Sequence, residues 1–134
     1  MRGKSSSSVR IYYPRFGRGE LIEKLKRCAE ELSKKLPLKR AILFGSYASG
    51  RHTAASDVDV LVVYEGERDK REVYDLCWDL IGLPNLELHL YSEDEYLKLR
   101  KSKHSIIWEA ENKGIVILGR LAPGRGLSYL VEKV

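Results

Sequence analysis

The chain has 134 residues, 43% hydrophobic and 32% charged, the composition of one globular domain able to bury about 65–70% of its unfolded surface. Its net charge of +5 is local: Arg2, Lys4, Arg10, Arg15 and Arg18 stand in the first 18 residues with no acid among them, leaving 19 basic against 19 acidic residues. That asymmetry predicts a basic flexible segment over 1–18 and a neutral domain over 19–134, and it argues against a nucleic-acid partner because only Tyr12, Tyr13 and Phe16 interleave the cations. No apolar run approaches the roughly 18 residues of a membrane span and no signal-peptide core is present, so a cytoplasmic protein with no membrane partner is expected. Cys28 and Cys77 lie in helical apolar patterns without metal-ligand spacing and are read as buried, reduced thiols.

From Glu20 to Lys35, apolar Leu21, Ile22, Leu25, Cys28, Ala29 and Leu32 recur at helical spacing, and Pro37 follows the stop. "RAILFG" (40–45) then reads as a short buried strand, and "DVDVLVVY" (57–64) as a second. Between them, Gly45-Ser46 turns the chain into a short helical segment. A helical stripe returns from Asp69 to Ile81 through Val73, Leu76, Cys77, Leu80 and Ile81, closed by Gly82 and Pro84. "LELHLY" (86–91) alternates as a third strand. Ser92 and Glu95 form a capping-box signature opening a helix through about Arg100, and a further helix around Ile106 to Asn112 stops at Gly114. "IVILG" (115–119) is a fourth strand. In the tail "RLAPGRGLSYLVEKV", Leu127, Leu130 and Val131 are read as a short docking helix or strap. The expected architecture is an α/β sandwich with a mixed sheet of about four strands and helices mainly on one face.

The second strand opens on charge. Side chains two apart on a strand point the same way, about 7 Å apart, so Asp57 and Asp59 are expected to share a face while Val58 and Val60 enter the core. Two like charges there repel unless something pairs them, and a divalent cation with hard oxygen ligands, magnesium first among them, offsets that cost. The alternative assigns Asp57 to a turn cap and Asp59 to a nearby basic residue. Gly45 and Ser46 present backbone N–H groups and a hydroxyl suited to phosphate oxygens. Gly45 to Gly50 has P-loop spacing, but Arg51 and His52 stand where Lys and Ser/Thr are required, which excludes a P-loop. On the third strand Leu86, Leu88 and Leu90 point inward, so Glu87 and His89 emerge on the other face; Glu87 is the third candidate carboxylate, and His89 is read as a surface or packing residue.

Gly45-Ser46, ten intervening residues and then Asp57-Val58-Asp59, with an acid on a later strand, resembles the minimal nucleotidyltransferase family of the DNA polymerase beta-like superfamily. The resemblance runs from the first helix through "HSIIWEAENKGIVILG". It implies a nucleotidyltransferase-like fold in which Gly45 and Ser46 hold the nucleotide triphosphate, Asp57 and Asp59 bind two magnesium ions, and Glu87 is a metal ligand or base. Ser49 stands where many relatives carry arginine, leaving either substitution by Arg51 or a weaker phosphate grip. Glu87 is longer than the aspartate common there. The implied reaction is transfer of AMP from ATP, with a tyrosine such as Tyr47 stacking on the base.

Relatives with small-molecule or polynucleotide acceptors carry extra domains, so the acceptor here is expected to come from outside. Minimal members pair with HEPN-domain toxins, which implies an antitoxin that adenylylates its partner. The alternatives are a non-catalytic antitoxin acting by binding and a small-molecule nucleotidyltransferase; an oligomer is compatible with all three.

Overall fold

The computed structural model describes residues 17–53 and 56–119. The basic head before Gly17 and the strap expected in the tail lie outside the described residues. In chain order the elements are α1 (Arg18–Ser33), β1 (Leu38–Phe44), α2 (Ser46–Ser49), β2 (Val58–Tyr64), α3 (Lys70–Ile81), β3 (Leu86–Ser92), α4 (Glu93–Lys101), α5 (Ser105–Lys113) and β4 (Ile115–Leu118). All four expected strands are present, in the order β3-β2-β1-β4. The sheet is mixed: β1 runs antiparallel to β2 and β4, while β2 and β3 are parallel and joined through α3, because parallel neighbours need a crossover rather than a hairpin.

Local chemistry sets the element ends. Helix α1 begins two residues ahead of Glu20, whose carboxylate turns back to accept the Gly17 N–H at 3.2 Å. Asp69 caps α3 by accepting the Arg71 N–H at 3.0 Å, and Gly82 ends it at φ +64°. The expected capping box of α4 is present, with Glu95 N–H donating to Ser92 Oγ at 3.2 Å and Ser92 N–H to Glu95 Oε1 at 2.9 Å. Gly114 is glycine for proximity, since its backbone is extended and a Cβ would lie 2.5 Å from Ile42 Cγ2.

Period two divides the sheet's side chains between two cores. Ala41 and Leu43 of β1 and Val58, Val60 and Val62 of β2 join α1, α2 and α3 in the larger one. Ile42, Phe44, Leu61 and Val63 face the other way onto Tyr96 of α4 and Ile107 and Ala110 of α5. The unbroken aliphatic run of β2 follows from burial on both faces. More helices pack on the first face, and α4 and α5 cover only part of the second.

A polar network is sealed under that second cover. Glu111, 3% exposed, accepts from the buried Tyr96 hydroxyl and from Arg100 Nε at 2.9 and 3.2 Å. The Arg40 guanidinium lies 4.9 Å from the centre of the Tyr96 ring. Burial first, and the bond to Glu111 second, push the Tyr96 hydroxyl pKa well up, so the phenol keeps its proton and donates it in the hydrogen bond.

Candidate active site

On the second face Asp59 and Glu87 of the expected site come together. Phe44 is the register partner of Asp59, and Asp59 is the partner of Glu87, so one row crosses β1, β2 and β3 with its side chains on the same face. The chain leaves that row through Gly45 at φ +80°, ψ −152°, a region essentially reserved for glycine. A Cβ on Gly45 would collide with Asp59 Oδ2 and come within 3.2 Å of Asp59 Cγ. The glycine turn and the strand carboxylate are thus packed against each other.

Asp59, Glu87 and His89 each offer a ligand atom, and these atoms lie within 4.8 Å of one another. His89 Nε2 stands 3.4 Å from Asp59 Oδ1, and its ring centre is 5.1 Å from that of Phe44. Ligands around one cation with bonds of about 2.0–2.2 Å can be no more than about 4.4 Å apart, so small side-chain adjustments would close this set on a divalent ion. The donor types fit: two carboxylates suit magnesium, and an added imidazole extends the range to manganese and similar metals.

Asp57 is exposed, one residue before β2, and lies outside this three-residue group. Same-face alternation applies between strand residues, and the β2 ladder begins only at Val58. Ser46 is half-buried beside Gly45. Its carbonyl accepts from Arg51 N–H at 3.0 Å and Ser49 Oγ at 3.1 Å, which folds the turn and leaves the exposed Arg51 side chain at its lip. Tyr47 is not available for base stacking: it is 1% exposed and its ring stacks on His52 at 4.1 Å.

His89 is the functional candidate that sequence reasoning set aside. The signal was present, because alternation places it on the Glu87 face; what was missing was the inter-strand register that carries it to Asp59. Both cysteines are free thiols, and burial raises the pKa of Cys77 to about 11 and that of Cys28 to a lesser extent. Among the described residues no helix is long and apolar enough to cross a membrane.

A mixed sheet that sets a glycine turn against a carboxylate row is the arrangement expected of a nucleotidyltransferase. The family model described as "Nucleotidyltransferase domain" matches residues 25–116, and the chain belongs to that family. Two similar proteins come from Methanocaldococcus jannaschii. "Putative protein adenylyltransferase MJ0604" is 36% identical over 80 residues, covering 60% of this chain and 78% of the relative. "Putative protein adenylyltransferase MJ0141" is 33% identical over 109 residues, covering 73% of this chain and 99% of the relative. Among solved structures, the "putative nucleotidyltransferase from Sulfolobus solfataricus" shares the fold at TM-score 0.56 and 21% identity, covering 81% of this chain and 88% of that one.

Proposed function

We propose that the chain is a metal-dependent protein adenylyltransferase that moves AMP from ATP to a hydroxyl of a protein partner, and that the partner is a HEPN-domain toxin for which it serves as antitoxin. The observation that carries this reading is the packing of Gly45 against the Asp59 carboxylate in the row it shares with Glu87. A phosphate drawn to the turn is thereby drawn to the carboxylates. The names of the two archaeal relatives support a protein acceptor.

In this reading the Gly45-Ser46 backbone and the Ser46 hydroxyl hold the triphosphate, with Arg51 at the lip neutralising charge. Asp59, Glu87 and His89 hold a divalent cation, magnesium or manganese, and the exposed Asp57 supplies a carboxylate to a second. Bound there, the cations would neutralise phosphate charge and lower the pKa of the attacking hydroxyl. Glu87, the exposed member of the row, orients that hydroxyl and takes its proton. The acceptor oxygen bonds to the α-phosphorus, the bond from that phosphorus to the β-phosphate's bridging oxygen breaks, and pyrophosphate leaves.

Titration with magnesium or manganese should raise the Tm of the wild type through preferential binding to the folded state, and Asp59→Asn should cancel the gain. ATP labelled on the α-phosphate should then mark a co-purified HEPN partner, while Asp57→Ala/Asp59→Ala binds that partner and transfers nothing. An equal metal gain in Asp59→Asn would move the site elsewhere. Full protection of cells by the double mutant would replace catalysis with neutralisation by binding.

A further inference from the structure

We propose that the acceptor segment of the protein substrate docks as an added strand on the open edge of β3, which sets its hydroxyl beside Glu87. The proposal rests on the protein adenylyl-transfer reading above and names how that substrate is held.

Strand β3 ends the sheet and pairs only with β2 among the described residues. Val58 N–H donates to the Asn85 carbonyl at 2.8 Å, so the Asn85 main chain faces β2. Main-chain direction alternates along a strand. Glu87, His89 and Tyr91 therefore also face β2, while the N–H and C=O groups of Leu88 and Leu90 point outward, without a backbone partner among the described residues. This is a seven-residue edge with no proline, glycine or lysine in it, the devices that commonly blunt such edges. Unpaired edge groups are complementary to one kind of occupant, an extended backbone.

A groove of about 660 Å³ runs along this edge, with Lys70, Arg71, Tyr74 and Asp75 of α3 on one side and Leu88 to Tyr91 below. It lies on the α3 side of the sheet, the face opposite the one that carries the Asp59–Glu87 row. Tyr74 and Trp78, 38% and 37% exposed, stack at 6.1 Å on α3. The groove also carries a charge: Lys70 is paired with Glu95 at 3.0 Å, whereas the Arg71 guanidinium has no partner among the described residues.

Register sets the position of the hydroxyl. The row Phe44–Asp59–Glu87 continues onto an added strand about 4.8 Å beyond β3, with the next side chain on the same face. A Tyr, Ser or Thr there lies beside Glu87. Arg71 lines the groove with Leu88 to Tyr91 on the α3 face of the sheet, opposite the face that Glu87 takes. An acidic residue opposite Leu90 would meet Arg71, three positions from the hydroxyl and on the opposite face, as an odd spacing requires. The transfer is the one balanced above, with the proton passing to Glu87.

The test uses the full chain with a positional-scanning library of nine-residue peptides bearing a central Tyr, ATP labelled on the α-phosphate, and manganese. Labelling should favour pools with Asp or Glu three positions from the Tyr. Arg71→Glu should shift the preference to Lys or Arg at that position without changing ATP binding. N-methylation of the amides that would face β3 should cut labelling at least tenfold, while methylation of the alternate amides should not. The best pool, without nucleotide, should slow hydrogen exchange at the Leu88 and Leu90 amides. Indifference to methyl position, or unchanged exchange at those amides under saturating peptide, would overturn the proposal. So would edge protection that depends only on protein concentration, the mark of two copies pairing their β3 strands. A chain that binds ATP and metal yet labels no pool also overturns strand docking while nucleotidyl transfer stands; a chain that binds neither overturns the transfer reading itself.

Discussion

Replacing Gly45 by Ala separates two costs that this structure combines at one residue. Backbone strain at φ +80°, ψ −152° costs about 1–3 kcal/mol for a residue bearing a Cβ. The added methyl also falls on the Asp59 carboxylate, which must leave the position it holds beside His89. Gly50 is the internal control, since it too has a positive φ, +82°, but a Cβ there meets nothing within 4 Å. Gly50→Ala should therefore show strain alone. Domains of this kind are stable by about 5–15 kcal/mol, so both variants should fold and give clean urea transitions. The expected result is that Gly45→Ala costs more than Gly50→Ala and loses most of its manganese-induced rise in Tm, while Gly50→Ala keeps it. In an Asp59→Ala background the extra cost of Gly45→Ala should shrink to the backbone strain by which Gly45, at ψ −152°, exceeds the left-handed Gly50, because the clashing oxygen is gone. Equal costs in the two single variants, with the metal response intact in both, would refute the claim that turn and carboxylate are packed as one unit.

Ser46→Ala should weaken ATP binding by about 1.5–3 kcal/mol, one hydrogen bond to a charged group, with Tm unchanged; calorimetric titration measures it, and unaltered affinity would remove Ser46 from the phosphate cradle. Glu111→Gln should cost about 3 kcal/mol in urea unfolding, the lower end for a broken buried ion pair because Arg100 is partly exposed, whereas a loss below about 1 kcal/mol would deny the network its structural role. The Ser92 amide, and then Lys70, hold the Glu95 carboxyl below its usual range against some desolvation. A lowered folded pKa stabilises above the unfolded value of about 4.3 and is lost as pH falls through the folded one. The Tm advantage of wild type over Glu95→Gln should accordingly narrow below about pH 4, and a constant gap would contradict the capping-box assignment.

The carboxylate row was half legible in the sequence. Alternation along "DVDVLVVY" and "LELHLY" assigned Asp59 and Glu87 to one face each, and the Gly-Ser turn ahead of them pointed to the family that residues 25–116 match. Helix ends were equally legible, since Asp69, Gly82 and the Ser92–Glu95 pair act over two to four residues. These are local preferences, set by sterics and hydrogen bonds between near neighbours. Contacts between distant segments were not legible. His89 meets Asp59 across a separation of 30 residues, and Arg40 meets Tyr96 across 56. Those distances depend on strand order and register, which are decided when two cores close on a shared sheet. The same closure buried Tyr47 under His52 and drew Glu111, by pattern an ordinary polar helix position, into an ion pair with the partly exposed Arg100. Local pattern determined which face each side chain takes, and only the packed sheet decided which faces meet.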